Sequence, residues 1–208
     1  MGTKINIAID SILSCEQIFS ICNNFLSQHP SVEMDISEEV MNGAWEALVD
    51  DRIDMIIGAS GPIPKQKGIQ TVHLCDFKPT FVVSQHHPLA KLSQPISNET
   101  LAKYRAVVVH DSARQWIANT HAVLNNNHYF YVPNIEYKIK AQLAGIGYGF
   151  LPRSRINHYL NSGELVELQI EHITNPIPLY LAWKVVNRGK ALTTIRDMLI
   201  ANKVQITC

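Results

Sequence analysis

Two short polar clusters carry most of the chemistry this chain can do. His110-Asp111-Ser112-Ala113-Arg114 follows the apolar run Ala106-Val107-Val108-Val109 and leads into a stretch with helical spacing. At a strand-to-helix turn of this kind, exposed backbone amides and the Arg114 guanidinium can hold an anion or carboxylate; simple helix capping is the plainer use of the same residues. Asp10-Ser11 follows the first apolar strand, Ile5-Asn6-Ile7-Ala8-Ile9, in the same topological position. Ser60, after Gly58-Ala59 at the end of the apolar run Met55-Ile56-Ile57, adds a hydroxyl, although small residues there also serve a tight turn. The clusters then sit at carboxyl ends of strands, where open α/β sheets bind ligands.

These residue types do not by themselves specify a reaction. Asp10, Asp111, His110 and Arg114 include an acid, a base and a cation, but clefts that only bind solutes use the same set. The chain has neither GxSxG nor a Walker loop, and Gly145-Ile146-Gly147-Tyr148-Gly149 follows a helix instead of opening one, which excludes the dinucleotide reading. No enzyme and no cofactor are therefore expected. Among nine histidines, His86-His87 precedes a proline in a loop and no HExxH occurs, so no metal site is expected. Cys15, Cys22, Cys75 and Cys208 lack CxxC spacing and read as reduced, mostly buried thiols. Trp45, Trp116 and Trp183 fall on different elements, and packing is their default role.

The elements that position these residues alternate in period. After the first strand, Cys15, Phe19, Cys22 and Leu26 recur at helical spacing to about Gln28, with Ser14 and Gln17 as a capping box. A strand over Val32 to Ile36, a helix over Glu38 to Val49 capped by Ser37, and the strand ending at Gly58 complete a β-α-β-α-β run. Such a run predicts a parallel sheet with right-handed helical crossovers on both faces. A new region starts near Asp76 to Pro79, and the logic repeats. It has the strand Ala106 to Val109, a helix from Arg114 to Leu124, the strand Tyr129 to Val132, a helix from Asn134 to Ala144, and the strand Gly149 to Leu151. Leu179 to Trp183 and a final amphipathic helix through Leu192, Ile195 and Leu199 close the chain.

Composition agrees with a folded α/β protein. Over 208 residues, 46% are hydrophobic and 17% charged, too apolar for disorder and too sparsely charged for a coiled coil. Eighteen basic and eighteen acidic residues cancel, leaving no field to gather phosphates, so direct nucleic-acid binding by this chain is disfavoured. No window reaches the apolar length of a membrane span, and the start lacks a signal-peptide run, so no membrane partner and a cytoplasmic location are expected.

Several segments resemble the effector-binding domain of LysR-type transcriptional regulators. They are INIAI with its helix ending FLSQHPSVEMDI, then ALVDDRIDMIIG, HHPLA and LAGIGYGFLPRS, spaced as in that family over about residues 4 to 203. The resemblance implies two Rossmann-like lobes joined by a two-segment hinge, the type 2 periplasmic-binding-protein fold. Residues 4–76 plus 180–208 would form one lobe and 77–179 the other. It implies an effector cleft lined by Asp10, Ser11 and Ile12, by Ser60, and by His110, Asp111, Ser112 and Arg114, with Asn134 as a polar tip. An acid at Asp10, where many relatives carry Ser or Thr, would repel a carboxylate and attract an amine or sugar hydroxyl.

The partners implied are a small polar effector, a second copy of the chain in a homodimer or a tetramer, and DNA only through an amino-terminal winged helix-turn-helix that has no counterpart before Lys4. A periplasmic solute-binding protein and an enzyme on the same scaffold are the rival readings. Coupling of about 1 to 3 kcal/mol between effector and lobe arrangement suffices for a switch without turnover.

Overall fold

The computed structural model describes residues 4–118, 128–171, 175–187 and 189–207. The chain divides into two compact units, one of Met1–Phe77, Asp111–Asn119 and Ile177–Cys208, the other of Lys78–His110 and Thr120–Pro176.

In the first unit, β1 (Lys4–Asp10), β2 (Glu33–Glu39) and β3 (Met55–Ala59) run parallel, with helices α1 (Cys15–Gln28) and α2 (Asn42–Val49) as crossovers. β4 (Ile69–Phe77) and the late strand β10 (Ile177–Lys184) complete a sheet of order β2-β1-β3-β10-β4, in which β10 is antiparallel to both neighbours. Two-residue alternation sorts each strand between two cores. Ile5, Ile7, Ile9, Met55 and Ile57 pack under α1 and the last helix, whose core residues include Leu192 and Ile195. Ala8, Ile56, Ala59 and Ala182 pack with Trp45 and Leu48 of α2 on the opposite face. Both faces being covered explains why β1 and β3 read as nearly continuous apolar runs.

The second unit is built on β5 (Pro79–Ser84), which pairs antiparallel with β8 (Gly149–Pro152) and with β9 (Leu165–Glu167). β6 (Ala106–Val109) and β7 (Tyr129–Val132) pair in parallel, and an Ala106 to Tyr148 bridge joins them to the chain entering β8. Short α3 (Asn98–Leu101), α4 (Ile135–Leu143) and α5 (Arg153–Ser162) belong here, and α6 (Lys190–Ala201) returns to the first unit. Around HHPLA, His87 Nδ1 accepts the Leu89 N–H at 3.2 Å and caps a 3₁₀ turn over Pro88–Lys91 that buries Leu89.

Several local expectations differ from the structure. α1 buries Ile18, Ile21, Cys22 and Phe25, whereas Cys15 and Phe19 are exposed, so of the Cys15-Phe19-Cys22-Leu26 series only Cys22 is fully buried and Leu26 packs at the margin. Ser14 is at the N-cap but its side chain makes no capping bond. α2 starts at Asn42 and not at Glu38, because β2 stays paired with β1 as far as Glu39 opposite Asp10, and these ladder bonds outweigh the helix propensity of the two glutamates. Arg114 to Ala118 are not helical, and the rest of the expected helix lies outside the described residues. α5 was not expected, since only Ile156 is buried on it and it carries no apolar stripe. Cys75 is disulfide-bonded, which corrects the reading of wholly reduced thiols.

Candidate functional site

The carboxyl edge of the parallel strands in the first unit gathers the polar groups. Asp10 ends β1, and its side chain folds back on its own turn: Oδ1 accepts the Ile12 N–H at 3.0 Å and Oδ2 the Met41 N–H at 3.3 Å. Met41 takes a positive φ of 53°, a conformation that costs a non-glycine residue energy and that this bond helps to hold. Asp10 and Ser11 are buried, and Ile12 is half-buried. On neighbouring β3, the open Cα of Gly58 faces this turn, with the Asp10 Cβ only 3.3 Å from where a side chain would begin. Ser60 follows, buried, and its carbonyl accepts the Trp45 Nε1–H at 2.8 Å. The structure thus brings Asp10, Ser11, Ile12 and Ser60 to one edge.

Burial raises the Asp10 pKa to about 7. The Ile12 and Met41 amides oppose the rise, and the negative charges of Glu38 and Asp111 add to it. This carboxyl therefore changes charge near neutrality.

Asp111, Ser112 and Arg114 group with the first unit. The Asp111 carboxylate accepts the N–H groups of Asn42 at 3.2 Å and Gly43 at 2.9 Å, capping α2 from a distant part of the chain. It also accepts its own Ala113 N–H at 2.9 Å. Ser112 pairs by backbone with Val40, and its Oγ lies between the Val40 N–H and the Glu39 carboxylate. Gly43 is required by this approach, since a Cβ there would lie 1.9 Å from Ser112 Oγ.

Glu46 completes the arrangement and was not singled out from the sequence. Almost wholly buried on α2, it accepts the N–H groups of Arg114, Gln115 and Trp116 at 3.1, 3.0 and 2.9 Å, with Arg52 Nη2 at 3.5 Å. Burial pushes its carboxyl up, but the Trp116, Gln115 and Arg114 amides and Arg52 outweigh that and hold it below the usual carboxylate range. The consequence for binding is direct. Of the amides expected to receive an anion at 110–114, Ala113 faces the Asp111 carboxylate, Arg114 the Glu46 carboxylate, Ser112 the Val40 carbonyl and His110 the Val132 carbonyl, which corrects the open-amide reading of that turn. The Arg114 side chain is exposed. No spacing rule links Glu46 to a segment near position 115, so only the folded chain shows the pairing.

His110 and Asn134 lie in the second unit. His110 directly follows β6, donates its N–H to the Val132 carbonyl at 2.9 Å and stacks on Tyr131 with ring centroids 4.9 Å apart. Asn134 Oδ1 accepts the Tyr137 N–H at 3.0 Å and caps α4. Among the described residues, no three His, Cys, Asp or Glu side chains are grouped to hold a metal, and no helix is long and apolar enough to cross a membrane.

The first unit is a mixed α/β sheet with a core on each face, and the second is an α/β unit of a three-stranded and a two-stranded sheet; both are of the kind found in periplasmic-binding-protein-like regulatory domains. The sequence pattern of the LysR substrate binding domain matches residues 2–202, and the chain belongs to that family. It is similar to the HTH-type transcriptional regulator YeeY of Escherichia coli, 29% identical over 196 residues that make up 94% of this chain and 63% of that protein. It is similar also to the HTH-type transcriptional regulator PunR of Escherichia coli, 30% identical over 199 residues, again 94% of this chain and 63% of that protein. The chain thus spans less than two thirds of the length of these regulators. The regulatory domain of MetR, a LysR family regulator from Neisseria meningitidis, shares the fold with a TM-score of 0.68 and 19% identity, covering 96% of this chain and 94% of that one.

Proposed function

We propose that this chain is the effector-sensing part of a transcriptional regulator, and that it binds a small polar metabolite without transforming it. The observation that carries the reading is the buried Asp10 at the carboxyl edge of the parallel strands, beside Ser11 and Ser60. Family membership supports the regulatory role, and the position at the strand ends supports the ligand role. Asp10, Ser11, Ile12, Ser60, Asp111, Ser112 and Arg114 of the first unit, and His110 and Asn134 of the second, are the residues proposed as effector contacts. A carboxyl in this place favours a ligand that offers N–H or O–H donors, an amine or a polyol, over a carboxylate. Effector binding would shift a pre-existing equilibrium and act on DNA through an amino-terminal domain, in a dimer or tetramer in the cytoplasm.

The test is a thermal-shift screen of amines, nucleosides, sugars and carboxylates, followed by calorimetry on the compound found. Asp10→Asn, Ser60→Ala and Arg114→Ala are expected to weaken its binding at least tenfold while leaving the domain folded. Undiminished affinity in all three variants, or release of a chemically altered compound, would reject the reading.

A further inference from the structure

Cys75 lies near the end of β4 and is disulfide-bonded, whereas Cys15 and Cys22 carry free thiols. The sequence contains four cysteines, so Cys208 is the partner left to it. The effector site proposed above makes no use of this bond.

Packing points to the same pair. After α6 the chain makes a 3₁₀ turn over Lys203–Gln205 that packs on β4, and Ile206 then enters the core that Cys75 borders. Cys208 follows Ile206 by two residues, about 7 Å of chain at full stretch, and a disulfide spans about 4 to 7 Å between Cα atoms. Cys75 is thus within reach of a segment anchored at Ile206.

The bond ties together parts of the first unit that are far apart in the chain. β4 closes the segment that ends at Phe77, and α6 belongs to the segment that returns at Ile177. Among residues 202–207, Ile206 alone is buried. The Gln205 and Ile206 N–H groups bond back to the carbonyls of Asn202 and Lys203 at 2.9 and 3.1 Å. A single short turn with one apolar anchor opens readily, so a covalent tie decides whether the segment stays in place. Cys75 is half-buried on the edge strand of its sheet, where a soluble thiol can reach it. In a compartment that glutathione keeps reducing, a protein disulfide is characteristically transient and redox-sensing.

We propose that Cys75 and Cys208 form a reversible disulfide that fastens the segment after α6 onto β4, and that reduction releases this segment. The reversibility rests on the cytoplasmic reading given above; the pairing does not. Formation consumes one low-molecular-mass disulfide, of which oxidised glutathione is the type. One cysteine thiolate attacks it, expels the first glutathione thiol and leaves a mixed disulfide. The second cysteine thiolate attacks that bond and expels the other, so two cysteine thiols are oxidised and two glutathione thiols are formed. Excess reduced glutathione drives the same steps backwards.

The test equilibrates the full 208-residue chain in glutathione buffers from fully oxidised to fully reduced, blocks free thiols with iodoacetamide, and maps the peptides by mass without reduction. A linked pair of peptides bearing Cys75 and Cys208 is expected in oxidised buffer, with Cys15 and Cys22 alkylated, and is expected to disappear in reduced buffer. Hydrogen exchange at the Gln205 and Ile206 amides should quicken by about tenfold or more on reduction, while the Ile195 and Leu199 amides of α6 keep their rates. Cys208→Ser should show the fast exchange in both buffers. Because a variant can misfold, the unaltered chain in its two redox states is the primary comparison. A link from Cys75 to Cys15 or Cys22, a link between two chains, or no link at any poise overturns the pairing. Equal exchange in the two states overturns the release. A bond that survives fully reduced glutathione overturns the switch and with it the cytoplasmic reading, while effector binding, measured separately by calorimetry, is unaffected.

Discussion

The Glu46 carboxylate accepts the backbone N–H of Trp116 at 2.9 Å, across 70 positions of sequence. With the Arg114 and Gln115 amides beside it, one buried side chain holds three consecutive backbone donors that would otherwise sit in a helix or in water. The strap from Asp111 onward is therefore part of the first unit's structure, and its own carboxylate returns the favour by capping α2.

Removing that carboxylate leaves the three backbone donors without their acceptor and Arg52 with Glu39 alone. Glu46→Ala is expected to destabilise the chain by about 2 to 4 kcal/mol, as for other broken buried networks, and Glu46→Gln by less, since one oxygen still accepts. Urea denaturation measures both. A loss under about 1 kcal/mol for Glu46→Ala would mean the strap is not held this way.

Gly43→Ala tests the same contact by crowding. Its Cβ would stand 1.9 Å from Ser112 Oγ and 2.5 Å from the Ser112 carbonyl carbon, so the strap must move. A loss of about 1 to 3 kcal/mol is expected. Faster hydrogen exchange of the amides of Ala113 to Trp116, compared with the parent chain, would locate the change in the strap.

Asp10 makes stability depend on pH. Its folded pKa of about 7 lies above the ordinary 3.8, so between these values the folded state binds the proton and the unfolded state has lost it. The contribution is full below pH 3.8 and is lost as pH rises through 7, at up to about 1.4 kcal/mol per pH unit. Asp10→Asn has no such proton to lose. Stability measured at pH 4.5 and 7.5 should fall less over that interval in the variant than in the parent. Parallel profiles would show that Asp10 titrates in the usual carboxylate range.

Asn134 separates capping from ligand contact. Asn134→Ala should cost about 1 kcal/mol through the lost bond to the Tyr137 N–H, whereas Asn134→Asp keeps an acceptor at the N-terminus of α4 and should cost little. If Asn134 also touches the effector, the aspartate variant will bind it with altered affinity at nearly parental stability. Equal affinity in the two proteins would leave Asn134 as a cap only.

The return of β10 and α6 to the first unit is implied by the family resemblance, but the parallel run β1, β2, β3 and the stretch from Asn134 to Leu151 could be read from the sequence alone, with β2 continuing to Glu39 and not ending at Ile36. So could the position of Asp10, Ser11 and Ser60 at strand ends. Each is encoded within about fifteen neighbouring residues, by two-residue or helical periodicity, a cap such as Asn134, or glycines at a turn. What the tertiary structure alone decided depends on groups far apart in the chain. α2 begins at Asn42 because β1 keeps β2 paired to Glu39 and because Asp111 supplies its cap. Arg114 to Trp116 leave the helix their spacing suggests because Glu46 takes their amides. α1 turns Ile18 and Phe25 inward, and not Phe19, because two apolar stripes compete and the sheet selects one. A local pattern states what a segment can form, and a buried charge some 70 residues away settles which of those forms has its hydrogen bonds satisfied.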